Sequence, residues 1–431
     1  MKVLEYHPPE ELSQILKDFL DPNTRSTSAD IETTLQKYCV DTKSPRFMCQ
    51  LFNASDTYAD TLLSMFNTAP YTYEIAPVFT LVEQRIIQEL TMLFFGTCER
   101  SSGIFCPGGS ASNTNAIHLA RLWKFPHTRT DGCTQKLALF ISKNAHYSFD
   151  KAAMLLGIGL NAVYHVPVDV DGRMKPSDLV SSIEQATRDG RSPFLVAATL
   201  GTTTLGAFDP LPKLREICDD YGLWLHADAA WGGMAIFTPQ LAHLINGIHT
   251  VDSLTFNAHK GMLISQQCSV LLLNNHGQLL EKNHIKAAYL YNDKPYPAQY
   301  DLGQYYLQCG RRADAFKLWF AWKLYGLNYY RQIVETNITN RDYLVQKIHE
   351  HPYLNLVHEP MYLNVCFTIS TGVNIVQIKK KMMERGNFLI ANTDGYFRIA
   401  LVKPVEKEIL DQALNEILEC SLESSSSVLL R

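Results

Sequence analysis

Several signals that would place a chain quickly are missing from this one. Its ten cysteines stand singly and form no C-x-x-C pair, which excludes a zinc ribbon or a thioredoxin-type centre. They are expected to be reduced thiols, with Cys268 and Cys366, inside apolar runs, as core. The opening residues, MKVLEYHPP, lack the apolar stretch and small-residue cleavage site of a signal peptide. No apolar run approaches the length of a membrane span, so a cytosolic location is expected. Lysine plus arginine number 39 against 43 aspartates and glutamates, a net charge of −4 with no basic cluster. That balance gives no electrostatic case for nucleic acid or an anionic membrane. No G-x-x-x-x-G-K-[ST] occurs, and no metal centre is expected.

What is present is an ordinary globular composition, 46% apolar and 19% charged over 431 residues, enough for two or three domains. Leu12, Ile15, Leu16 and Phe19 recur on one face of a helix after Pro8-Pro9. Residues 1–75 are expected to form a helical segment packed on a partner subunit. From 76 to 310, helical stretches at 80–95, 117–123 and 211–221 alternate with apolar runs at 137–141, 194–200, 223–226, 253–256 and 269–273. That alternation predicts a large α/β domain with a mainly parallel sheet covered on both faces. Residues 311–420 read as a smaller α+β domain, with helices at 315–325, 329–349, 376–385 and 406–419 and strands at 363–368 and 396–402. The serine-rich tail, 421–431, is expected to be disordered.

Four local features carry chemistry. Asn257-Ala258-His259-Lys260 follows an apolar run. A lysine there is awkward to bury as a cation, and one resolution is a covalent imine. Taken singly, such a lysine more often reaches solvent. Asp228, in LWLHADAAWGG at 223–233, ends another apolar run. A carboxylate at a strand's carboxyl end faces the ligand crevice of an open α/β sheet, where it can pair with a protonated ring nitrogen, and the small Ala230 lets a flat ring approach. The plainer reading is a helix cap. Gly108-Gly109-Ser110-Ala111-Ser112-Asn113 opens a helix and suits a phosphate, although Gly-Ser turns start many helices. His146, in Asn144-Ala145-His146-Tyr147-Ser148, follows the run at 137–141 and can stack on an aromatic ring; a lone histidine is more often structural.

Together these supply an anion site, a ring stack, a pyridinium partner and an imine lysine, the set that pyridoxal 5′-phosphate requires. The sequence resembles the group II pyridoxal phosphate-dependent amino acid decarboxylases, nearest to the glutamate, cysteine sulfinate and acidic amino acid branch. The likeness is carried by YTYEIAPVF at 71–79, GIFCPGGSASN at 103–113, His146-Tyr147-Ser148, GTTTLGAFDP at 201–210, LWLHADAAWGG, Asn257–Lys260 and QCGRRAD at 308–314. It spans residues 45–404.

The resemblance implies a fold type I (aspartate aminotransferase-like) homodimer with active sites at the subunit interface. Lys260 would carry the cofactor, Asp228 would pair with its ring nitrogen, and Ala230 and His146 would sandwich the ring. Ala111, Ser112, Asn257 and His259 would contact the phosphate, and Thr203 would lie at the ring's polar edge. Arg398 and Gln50 would bind substrate, and Tyr296 would protonate the product carbon from a mobile loop. Ala258 replaces a common proline, Pro297 is extra, and Ala69 matches neither the asparagine nor the serine of the sub-branches. Tyr71 leans towards substrates shorter than glutamate. The expected reaction is decarboxylation of an acidic L-amino acid, cysteine sulfinate or aspartate ahead of glutamate. The alternatives are a decarboxylase of aromatic or diamino substrates and a non-catalytic binding protein on the same fold.

Overall fold

The computed structural model describes residues 2–54, 57–291, 294–393 and 395–428. The chain divides into two units, residues 52–335 and residues 1–51 together with 336–431. These divisions replace those expected at 75/76 and 310/311. Residues 1–51 join the C-terminal part because Phe47–Met48 adds a parallel strand to Leu389–Thr393 and the Val3 amide donates to the Gly386 carbonyl.

Residues 52–335 are built on a seven-stranded sheet in the order Ser102–Cys106, Ser269–Leu273, Ser253–Asn257, Trp224–Asp228, Ser192–Thr199, Leu137–Ser142, Val163–Val166. Ser269–Leu273 is antiparallel to both neighbours, and the other neighbouring pairs are parallel. The five apolar runs are all strands. Two more were not evident: Ser102–Cys106, inside the glycine-rich motif, and Val163–Val166, where Tyr164 is half-buried and His165 exposed. A four-residue edge strand gives almost no alternation to detect. The strands are buried on both faces, as helix-covered parallel sheets require. Helices Pro77–Phe95 and Gly109–Lys124 supply part of that cover.

The other unit carries a five-stranded sheet in the order Phe47–Met48, Leu389–Thr393, Tyr396–Ala400, Asn364–Ile369, Leu354–Leu356. Helices Ile375–Arg385 and Lys407–Val428 pack together in this unit. The last helix corrects one expectation: residues 421–428 are helical rather than a loose tail. Ile417, Cys420, Ser421 and Ser424 are buried at helical spacing, so the serines continue an apolar stripe that their polarity hides.

Candidate active site

The register sets Thr199 beside Asp228 across one parallel pair and Asp228 beside Thr255 across the next. The carboxyl ends of three strands therefore converge, where open α/β sheets bind ligands. A cavity of about 140 Å³ opens there. Lys260, Asp228, His146, Ala230, Thr203 and Asn257 are on its wall, with Gly109, Ser110, Asn113, Thr199, Gly201 and Trp231. A larger cleft of about 800 Å³, lined by Glu83, Arg100 and Tyr305 among others, contains none of these groups.

Helix Gly109–Lys124 points its first turn at the cavity. The Ala111 amide already donates to the Gly108 carbonyl at 3.0 Å, and the amides of Gly109 and Ser110, ahead of it in the first turn, favour an anion. Asn257 Oδ1 accepts from Ser269 Oγ at 2.6 Å, and Ser269 Oγ is 2.8 Å from Ser112 Oγ. This leaves the Asn257 NH2 turned towards Gly109, where an added Cβ would stand 2.7 Å from Asn257 Nδ2. Glycine at 109 is a requirement of that close approach.

Asp228 is 5% exposed. Its Oδ1 accepts from the Ala230 amide at 3.1 Å and its Oδ2 from Asn113 Nδ2 at 2.9 Å. His146 Nδ1 accepts from the Ser148 amide at 3.2 Å, which leaves the proton of the neutral ring on Nε2. Burial pushes that imidazole below its ordinary value against the pull of Asp228, and Lys260 and Lys151 add to the downward push. A neutral ring is the better stacking partner for a protonated pyridine. Thr199 Oγ1 is buried at the cavity and has no hydrogen-bond partner among the described residues.

Three residues expected at the phosphate are not on the wall. Ala111 packs on the core cluster, and Ser112 is fully buried with its hydroxyl on Ser269. His259 is buried, with Nδ1 2.8 Å from the Cys268 carbonyl, tying the turn that bears Lys260. Successive helix residues turn by about 100°; the motif offers hydroxyls at 110 and 112, and only Ser110 faces the cavity. Tyr296 is not on the wall either. Its hydroxyl donates to Asp301 Oδ1 at 3.1 Å and its ring lies 5.2 Å from that of Tyr73. Burial, then the Asp301 carboxylate, pushes its phenol above the ordinary value. The Tyr71 carbonyl accepts from the Gly303 amide at 2.9 Å. Gln50 and Arg398 belong to the other unit, where Arg398 Nη2 donates to the Cys49 carbonyl at 2.6 Å. Sequence reasoning missed Thr199 and Asn113 as wall residues. Only helical periodicity from Gly109 to Asn113, one turn apart on one face, could have pointed to the second.

The pyridoxal-dependent decarboxylase conserved domain matches residues 9–370. A mouse acidic amino acid decarboxylase is 39% identical over 96% of this chain and 81% of its own length. Human cysteine sulfinic acid decarboxylase is 42% identical over 85% of this chain and 76% of its own. The crystal structure of mouse CSAD in apo form aligns with a TM-score of 0.91 at 36% identity, covering 97% of this chain and 93% of that one. Among the described residues, no helix is long and apolar enough to cross a membrane.

Proposed function

The chain belongs to the pyridoxal-dependent decarboxylase family, and from that premise we propose that it removes the α-carboxylate of a short acidic L-amino acid, cysteine sulfinate or aspartate, with glutamate close behind. The enzyme is a pyridoxal phosphate-dependent decarboxylase. The observation that carries the assignment of roles is the meeting of Lys260, Asp228 and His146 at one cavity with the amide-rich first turn of a helix.

The residues present fit the cofactor. A partnerless Thr199 hydroxyl, a negatively charged carboxylate with two donors already in place and a glycine kept bare for close approach make a polar cradle. Gly109, Ser110 and Asn257 would hold the phosphate. Asp228 would keep a proton at the ring nitrogen. His146 and Ala230 would cover the ring faces and exclude water, with Thr199 and Thr203 at the polar edge. Lys260 would hold the cofactor through Nζ. When bound, pyridoxal phosphate supplies the electron sink that accepts the electron pair left by the departing carboxylate. Tyr296, its phenol kept protonated, would deliver a proton to the substrate α-carbon. Arg398, with Gln50, would receive a substrate carboxylate, which guanidinium matches in charge and plane, or a sulfinate, which it matches in charge.

Support for the short acidic substrate lies in Tyr71 with its YTYEIAPVF context and in the activities that the relatives' names carry. A homodimer accords with the exposed Met65, Phe66, Val78 and Leu81 on helices Tyr58–Phe66 and Pro77–Phe95. The enzyme would act in the cytosol. Competing substrates in one vessel measure the ratio of kcat/KM directly. Cysteine sulfinate or aspartate should be consumed at least as fast as glutamate, and aromatic amino acids hardly at all. A strong preference for glutamate would remove Tyr71 as a guide, and one for tyrosine or histidine would overturn the acidic reading. A purified protein with visible cofactor absorbance but no CO2 release on any of them would point to the binding protein instead.

A further inference from the structure

Behind Asp228 lies a set of buried polar groups that the reaction above does not use. Asn113 Nδ2 lies 2.9 Å from Asp228 Oδ2 and 3.0 Å from Ser148 Oγ, and Asn113 Oδ1 lies 3.2 Å from His226 Nε2. His226 Nδ1 is 2.8 Å from Ser253 Oγ, which accepts from Trp224 Nε1 at 2.8 Å. Asn113, His226 and Ser253 are each at most 2% exposed. The directions of these bonds follow from chemistry. An ionised carboxylate only accepts, so the amide group of Asn113 facing Asp228 is its NH2. Its oxygen then faces His226, whose Nε2 must donate. A neutral imidazole that donates from Nε2 accepts at Nδ1, from the Ser253 hydroxyl, which in turn accepts from Trp224. From Trp224 through Ser253, His226 and Asn113 each donor points towards Asp228, with a side branch from Asn113 to Ser148, and such chains polarise one another. Burial pushes the His226 imidazole down to about 4, against the pull of Asp228 and the Ser253 backbone, so the ring is neutral and the chain keeps its direction.

We propose that Asn113 and His226 are positioning residues that hold Asp228 as an oriented, charged acceptor for the ring nitrogen of the cofactor. The proposal rests on the reading of Asp228 given above. An amide supplies donors without neutralising the carboxylate, which a lysine or arginine at 113 would do. The same helix face sets the other end of the cofactor, because Gly109 and Asn113 are one turn apart.

Two readouts on protein loaded with pyridoxal phosphate need no turnover: the rate of cofactor release, and the pH midpoint of the visible absorbance of cofactor bound through Lys260. Asn113→Ala should release cofactor about tenfold faster or more, the loss of one hydrogen bond to a charged group, and His226→Leu, which frees the Asn113 amide to turn, should speed release in the same direction by a smaller factor. Each should also move the midpoint by about half a pH unit. His226→Gln, whose amide can donate where Nε2–H stands, should restore both. Asn113→Asp keeps the volume and sets a second carboxyl against Asp228, so it should move the midpoint even if the alanine variant folds poorly. Variants that lose thermal stability yet release and titrate like the wild type would overturn the proposal and leave the network as core packing. Asp228→Ala sets the scale. If it shifts both readouts and the Asn113 and His226 variants do not, only the proposal falls. If Asp228→Ala itself behaves as the wild type, the reading of Asp228 falls and takes the proposal with it.

Discussion

Asp228 and Tyr296 both handle a proton in the proposed reaction, and they are held in opposite ways. Asp228 ends a central strand, is 5% exposed, and receives donors from a neighbouring helix and from its own turn. Tyr296 stands outside regular structure, and its hydroxyl meets the Asp301 carboxylate, five residues along the chain, and the Glu74 backbone. A charge that must be in place before the reaction benefits from fixed dipoles and pays no reorganisation at the moment of need. A proton donor that acts once, after the carboxylate has left, has to exchange one partner for another. Two bonds in a half-buried loop permit that, and a fully buried network would not.

The sharpest way to break this comparison is at its centre. Lys260→Ala should abolish turnover and remove the visible absorbance of lysine-bound cofactor, while the phosphate end still binds cofactor weakly. Retained activity with a borohydride-reducible link to another lysine would sink the assignment. Asp228→Asn keeps the shape and loses the charge. Its kcat should fall by about a hundredfold or more, the scale on which preorganised electrostatic groups act. A loss under about tenfold, about 1.4 kcal/mol, would demote Asp228 to a helix cap and erase the contrast with Tyr296.

Tyr296→Phe tests the other side. CO2 release should continue while carbon protonation fails, so activity should stop after a limited number of turnovers and recover when pyridoxal phosphate is added. Undiminished product over many turnovers would remove Tyr296 as the donor. Asp301→Asn sharpens the same point. It removes the charge that pins the hydroxyl, so cofactor affinity should be unaltered and only the protonation step should change, read as the ratio of CO2 to amine formed.

How much of this was legible beforehand follows from the same contrast. Lys260 and Asp228 stood out because each follows a buried apolar run, and strand ends in such folds face the ligand crevice. Asn113 did not, because its partner Asp228 is 115 residues away and nothing local marks an asparagine one turn into a helix. Ser112 and His259 carry the right chemistry for a phosphate, and side-chain direction, which composition does not record, sets them against Ser269 and the Cys268 carbonyl. The helix through 421–428 was hidden for a related reason: serine is a modest helix former, and only its spacing with Ile417 and Cys420 shows the buried stripe.

The smallest expected effect concerns stability and separates the two regions by pH. Burial pushes His226 and His259 down to about 4 in the folded chain, against about 6.5 when unfolded. Between those values the unfolded chain binds both protons and the folded chain neither, so stability falls as pH drops from 6.5 to 4. Asp209 opposes this. Fully buried, with Oδ1 accepting from the Met174 amide and Oδ2 from the Thr199 amide, it is pushed up to about 7. Its folded form keeps a proton that the unfolded chain loses above the ordinary aspartate range, so its contribution is present at low pH and lost as pH rises towards 7. Among these three groups, two histidine protons against one aspartate proton leave one, a contribution of about 1.4 kcal/mol per pH unit near pH 5. Denaturant midpoints of wild type and variants across about pH 4.5 to 6 read each group's share of the protons taken up on unfolding. His259→Gln should flatten the slope by about one proton and Asp209→Asn should steepen it by as much. Tyr296→Phe should leave it unchanged, because that phenol titrates far above the window. A slope that His259→Gln leaves unchanged would mean that His259 takes up no proton on unfolding.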